Sequence, residues 1–250
     1  MKGVGELLLR RILRCVSTHP RHHPHSPTLP FSLSRCMERL LQAPITLALL
    51  LSNLGVSGYA LMADPSLLRE LSFKPRRIQQ HDEYYRFLTA GFVHASGTHL
   101  AFNMITFYFF GPLLERILGA ASFLLLYFGS ELAAHALTFL FNRDDPHYSA
   151  VGASGAVSGV VFAFCVFFPL RNLYLFFALP IPAILFAFGY VFGSIYAMRR
   201  GDREGATGNW IAHEAHVGGA IAGVVITVAV IFLQPGPQQI FLRSMRQIFG

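Results

Sequence analysis

The sequence predicts an all-α, polytopic membrane protein built on six transmembrane helices. Three observations lead there. Hydrophobic residues make up 53% of the 250 residues and charged residues 13%, against the roughly 25% charged of an average soluble domain. The mean hydropathy is +0.47, which excludes intrinsic disorder and leaves a water-soluble enzyme without a surface. Six apolar stretches follow one another, bounded by breakers or charge, and a helix needs about 20 such residues to cross the hydrocarbon.

The chain opens with a basic segment. Seven of its 20 Lys and Arg residues lie in the first forty positions, with only Glu6 and Glu38 acidic. That explains much of the +7 net charge without a nucleic-acid partner, and no nucleic-acid motif is present. Residues 1–40 are expected to form a disordered basic tail, 41–235 the membrane domain and 236–250 a C-terminal tail. The first dozen residues resemble a basic amphipathic helix, as in an organellar transit peptide; Met37 is an alternative start. The His-rich stretch His19 to His25 is read as solvated tail rather than metal site. Cys15, Cys36 and Cys165 are too scattered for a metal cluster or a disulfide framework, and Cys165 reads as a packing residue.

The expected spans run from about Pro44 to Ala63, His99 to Leu114, Gly119 to Phe141, Ala153 to Phe168, Leu173 to Met198 and Ile211 to Phe232. Pro180 and Pro182 are expected to kink the fifth. The loop between the first two spans is too long for a plain connection and mixes charge with apolar residues, so it is expected at the membrane interface. Loop charges favour a cytoplasmic N-terminus, although Arg199, Arg200 and Arg203 argue the other way.

Polar groups inside a membrane are costly and functional by default. The second span opens with His99 and Asn103, which share a helix face. The fourth opens Gly152-Ala153-Ser154-Gly155, and the sixth carries His213-Glu214-Ala215-His216. In a six-span chain these three helices start on one side, so His99, Asn103, Ser154 and His216 share a depth. A serine needs a base to become a nucleophile, and imidazole is the usual one. The unpaired N–H groups at a helix start favour a developing oxyanion. Glu214 is read as the one acid near this depth; it lies on a different face from His216, so a dyad is expected rather than a triad. Singly, each motif has a blander reading: small residues spaced by four let helices approach, as Gly219 and Gly223 are expected to do, and a lone His or Asn is a hydrogen-bonding group. Packing alone does not predict their joint occurrence.

From Leu41 to Phe232 the chain resembles the rhomboid intramembrane serine proteases, on His99-x-x-x-Asn103, Gly152-Ala153-Ser154-Gly155 and Ala215-His216-x-x-Gly219-x-x-x-Gly223. The resemblance implies a six-helix rhomboid-like bundle, Ser154 as nucleophile and His216 as general base. It implies His99, Asn103 and the Ser154 N–H as oxyanion donors. Tyr85-Arg86 looks like the family's Trp-Arg pair. His94 and Glu115 match further family positions. One departure stands out: the position one turn after the nucleophile often holds a ring that packs on the catalytic His, and here it is Ser158. The implied activity needs neither cofactor nor metal. Its partners are membrane-protein substrates and the lipid bilayer, in a bacterial or organellar inner membrane. A non-proteolytic rhomboid-like binding factor is the alternative. A transporter would show internal repeats, and none is seen. A zinc site on His99, His213 and His216 lacks the His-Glu-x-x-His spacing.

Overall fold

The computed structural model describes residues 38–175, 179–200 and 212–249. The expectations for residues 1–37 and for Arg203 lie outside them. The chain divides into two units, Met1–Leu41 and Gln42–Gly250.

The elements of the second unit are α1 (Pro44–Met62), α2 (Pro65–Leu71), α3 (Pro75–His81), α4 (Arg86–Thr89), a 3-10 turn (Ala90–Phe92), α5 (Gly97–Leu118), α6 (Ala120–Asn142), α7 (Ser154–Phe167), a hairpin of β1 (Asn172–Leu175) and β2 (Leu179–Pro182), α8 (Ala183–Arg200), α9 (His213–Leu233) and α10 (Pro235–Phe249). Helices α1, α6 and α9 are long and apolar enough to cross a membrane; α7 and Ala183–Tyr196 are shorter apolar helices. The centre of the bundle is α9 packed on α6 and α7, with α1 against α5.

The fifth stretch departs from expectation. Its start pairs as an antiparallel hairpin, with Asn172 opposite Pro182 and Tyr174 opposite Pro180. The prolines therefore kink no helix. Two prolines two residues apart suit a strand, where alternate positions share a face, and the helix starts only at Ala183. The C-terminal segment read as a tail is largely helical, as α10. The loop after α1 holds three short helices, two of them begun by Pro65 and Pro75 at the first helical position, where the missing N–H costs nothing.

Helix α1 starts without a cap of its own, because Ala43 has no side-chain acceptor. Glu115, from the last turn of α5, supplies one. It accepts from Ile45 N–H at 2.9 Å, Thr46 N–H at 2.7 Å and the Thr46 hydroxyl at 2.7 Å. The carboxylate thereby ties the start of the first helix to the end of the fifth. Directly after α5, Gly119 takes φ +77°, a conformation open to glycine, and turns the chain into α6. Glu115→Ala strands these three donors in the interior. It is expected to lower stability by about 3 kcal/mol or more, each unmet buried group costing roughly 1–3 kcal/mol, measurable as a reduced thermal midpoint in detergent.

Candidate active site

Three helix starts converge on the region that the sequence singles out. Ser96 caps α5 by accepting His99 N–H at 3.1 Å, which places His99 in the first turn. Ser154 is the first residue of α7, and His216 is the fourth of α9. Ser154, His99 and His216 are half-buried, and Asn103 is buried.

The approach of α7 to α9 is made by glycines. A Cβ on Gly219 would overlap the backbone of Gly155, and one on Gly223 that of Gly159. Removing side chains from both sides brings the two backbones into contact. Ser154 directly precedes Gly155 in this seam, and His216 directly follows Ala215, whose carbonyl faces Gly155.

The segment before Ser154 is bolted to the loop after α1. Phe73 and Ala150 exchange backbone hydrogen bonds at 2.9 and 3.0 Å, and Gly152 N–H donates to Ala90 at 2.9 Å. Gly152 has φ +114°, and a Cβ there would strike the His99 ring. Glycine is required twice over, for conformation and for space. His94 is fully buried and stands edge-on to His99, ring centroids 5.0 Å apart. The Ser57 hydroxyl donates to Phe92 O at 2.8 Å and lies 2.8 Å from His94 Nδ1. His94 Nδ1–H therefore donates to Ser57, leaving Nε2 to accept Ala153 N–H at 3.4 Å. Asn103 donates to His99 O at 3.3 Å, one turn back along its own helix.

A family model described as the rhomboid domain matches residues 81–232. The chain belongs to the rhomboid family. Among its relatives are YdcA of Bacillus subtilis (strain 168), RHOMBOID-like protein 12, mitochondrial, of Arabidopsis thaliana, and rhomboid protease AarA of Providencia stuartii. YdcA is 43% identical over 34% of this chain and 43% of its own length. The plant protein is 25% identical over 76% of this chain and 59% of its own. AarA is 27% identical over 82% of this chain and 79% of its own. The chain thus aligns with less than two thirds of the first two. The rhomboid domain and the apolar helices make this an integral membrane protein, and membership supports intramembrane protease function.

Two groups in this rhomboid domain escape the sequence reading. The first is Tyr190 of α8. Its ring stacks on His216, centroids 5.9 Å apart and planes at 30°, and its hydroxyl lies 2.8 Å from Ser158 Oγ. Ser158, which departs from the family pattern, is thus the partner of a ring brought from another helix. The second is Glu131 of α6, which accepts Ala156 N–H at 2.9 Å. It corrects the expectation that Glu214 is the one acid near this depth. Glu214 itself is engaged elsewhere, accepting from Asn142 at 2.8 Å and the Tyr148 hydroxyl at 2.5 Å.

Arg86 lies away from these helix starts. It is buried, donates to Ser72 O at 2.7 Å and to Glu70 O, and pairs with Glu83 at 2.6 Å. It thereby clamps the chain between α2 and α3 to the start of α4. Hydrogen bonds from Arg77 and then Arg86 hold the Glu83 carboxyl at about 2, below its ordinary 4.5. A carboxyl depressed in the folded state stabilises above its ordinary value, and that contribution is lost as pH falls through the folded value. Pepsin cleavage within residues 64–92, normalised at each pH to cleavage of an unfolded peptide by the same pepsin, is expected to stay flat down to about pH 4.5 and to rise towards about pH 2. Glu83→Gln protein, already lacking the clamp, is expected to show no such acid step.

Proposed function

We propose that this chain is an intramembrane serine endopeptidase acting on transmembrane segments of other proteins through a Ser154–His216 dyad. The proposed membrane domain is 41–235, with six spans formed by α1, α5, α6, α7, α8 and α9. The proposed tails are 1–40 and 236–250, the latter including most of α10.

The observation that supports this most is the pattern of N–H groups around Ser154. Ala153 N–H is taken by His94 and Ala156 N–H by Glu131. Between them, Ser154 N–H and Gly155 N–H meet no acceptor among the described residues. Two free donors at a helix start, beside a serine, suit an oxyanion. The close α7–α9 seam and the ring of Tyr190 on His216 support the base at the same place.

The reaction then takes the course of ordinary acyl-transfer chemistry. His216 takes the Ser154 hydroxyl proton as Oγ attacks the scissile carbonyl carbon. Negative charge passes to the carbonyl oxygen, which the Ser154 and Gly155 N–H groups receive, with His99 and Asn103 as side-chain donors. His216 returns the proton to the departing amine, leaving an ester on Ser154. Water, deprotonated by His216, hydrolyses that ester and restores the serine. The proposed substrate must locally leave its helix, since a peptide bond within a helix is shielded. The proposed location is a bacterial inner membrane, which the bacterial relatives support, or an organellar inner membrane if the basic N-terminus is a transit peptide, towards which the mitochondrial relative points.

Ser154→Ala and His216→Ala are each expected to abolish cleavage of a model transmembrane substrate in detergent. A fluorophosphonate probe should label wild type and leave Ser154→Ala unlabelled; a non-proteolytic binding factor would show no Ser154-dependent labelling. Tyr190→Ala is expected to lower the labelling rate about tenfold, whereas Tyr190→Phe, which keeps the ring and loses only one hydrogen bond worth about 1 kcal/mol, should cost less than Tyr190→Ala.

A further inference from the structure

We infer that Glu131 is a positioning residue for the nucleophile. It is the N-terminal cap of the nucleophile's helix, supplied from a neighbouring helix, and it acts through an acceptor oxygen rather than through charge. This rests on the proposed role of Ser154 as nucleophile.

The start of α7 has a defect that the rest of the helix cannot repair. A helix leaves its first N–H groups without internal partners, and the usual remedy is a Ser, Thr, Asp or Asn just before it. Here that residue is Ala153, which has no acceptor. Water is no substitute so deep in the bundle, since Gly155, Ala156 and Val157 are all buried.

Helix lengths explain why a residue midway along α6 meets this start. Ser154–Phe167 has only 14 residues, so α7 begins well inside the bundle. Glu131 lies eleven residues from the beginning of α6, and Ala156 eleven residues from the end of α7. In an up-and-down bundle those two helix ends lie at the same level. Each residue is then about 17 Å from that level at 1.5 Å per residue. The two are at equal height, and the 2.9 Å hydrogen bond is the result.

The surroundings of the carboxyl bear on its form. Glu131 is 2% exposed. Its Oε2 is occupied by Ala156, and its Oε1 has no hydrogen-bond partner. His135 Nδ1 is 3.5 Å from Oε1, but that nitrogen donates to Phe87 O at 2.8 Å and its ring stacks on Phe73 at 4.5 Å. Gly91 leaves room for Oε1, because a Cβ there would collide with it. A buried carboxylate with one oxygen left without a hydrogen bond is expensive, whereas one acceptor oxygen is all that Ala156 requires. A neutral cap also leaves the positive end of α7 uncompensated beside Ser154, where an oxyanion would need it.

The test uses full-length protein in detergent and two readouts. The first is the rate of fluorophosphonate labelling per folded molecule. The second is amide exchange of residues 153–157, followed by mass spectrometry, which registers the cap whether or not the protein is an enzyme. Glu131→Ala is expected to slow labelling about tenfold, as for one unmet buried hydrogen bond, and to speed exchange of 153–157 by a similar factor. Glu131→Gln, which keeps an acceptor oxygen and no charge, should recover both to within about threefold of wild type. Unchanged exchange in Glu131→Ala overturns the inference. So does Glu131→Gln behaving like Glu131→Ala, because charge would then be what matters. Should Glu131→Ala fail to fold, Glu131→Gln and Glu131→Met decide, alike if the acceptor is irrelevant and unlike if it is not. Wild-type protein that takes up no label at Ser154, while its variants show the expected exchange, would sink the protease reading and leave the cap standing.

Discussion

An unpaired backbone N–H is costly in an apolar interior, and among the helices that begin without a side-chain cap of their own, two are capped from another helix. Helix α1 starts after Ala43 and α7 after Ala153. In each case a glutamate crosses from another helix to finish the job, Glu115 for α1 and Glu131 for α7. These carboxyls are structural mortar. Glu115 fixes a helix start to a helix end and Glu131 fixes one to a helix middle, so the register of α1 on α5 and of α7 on α6 is set by hydrogen bonds. Apolar contacts alone would let the helices slide.

The remaining order around Ser154 comes from those anchors and from glycine. The backbone pairs Phe73–Ala150 and Ala90–Gly152 hold the approach to α7. The Gly155–Gly219 and Gly159–Gly223 contacts hold α9 against it. His94 closes the gap between them by taking Ala153 N–H while anchored on Ser57. Polar residues here do most of their work on one another and on the backbone, and the pair of donors at Ser154 and Gly155 stands out because its neighbours are satisfied.

Much of this is legible in the chain because it is local. His99, Ser154 and His216 stand in the first turns of three helices, and an apolar run interrupted at its start by Ser or His is visible without a structure. Glu131 is not legible in the same way. It sits mid-helix in α6, and its height equals that of Ala156 only because α7 stops at 14 residues. Tyr190 lies 32 positions after Ser158 on a helix whose rotation no local pattern reports. The β1–β2 hairpin is hidden for a different reason. A short apolar run does not distinguish strand from buried helix by periodicity, and the paired prolines at 180 and 182, which read as a kink, are the strand's own signal.

The glycine seam has a mechanical consequence. When two rods touch at one place and tilt, points near the contact barely move and distant points sweep widest. The glycine contacts of α7 with α9 engage Gly155 and Gly159 in the first two turns of α7 and Gly219 and Gly223 in the second and third turns of α9, and beyond them α9 runs ten residues further to Leu233. A bilayer of different thickness, which helices meet by tilting, would therefore spread the far ends and leave Ser154 and His216 almost where they were. The seam would then work as a pivot, holding the Ser154 and His216 end of the two helices while the other end follows the lipid.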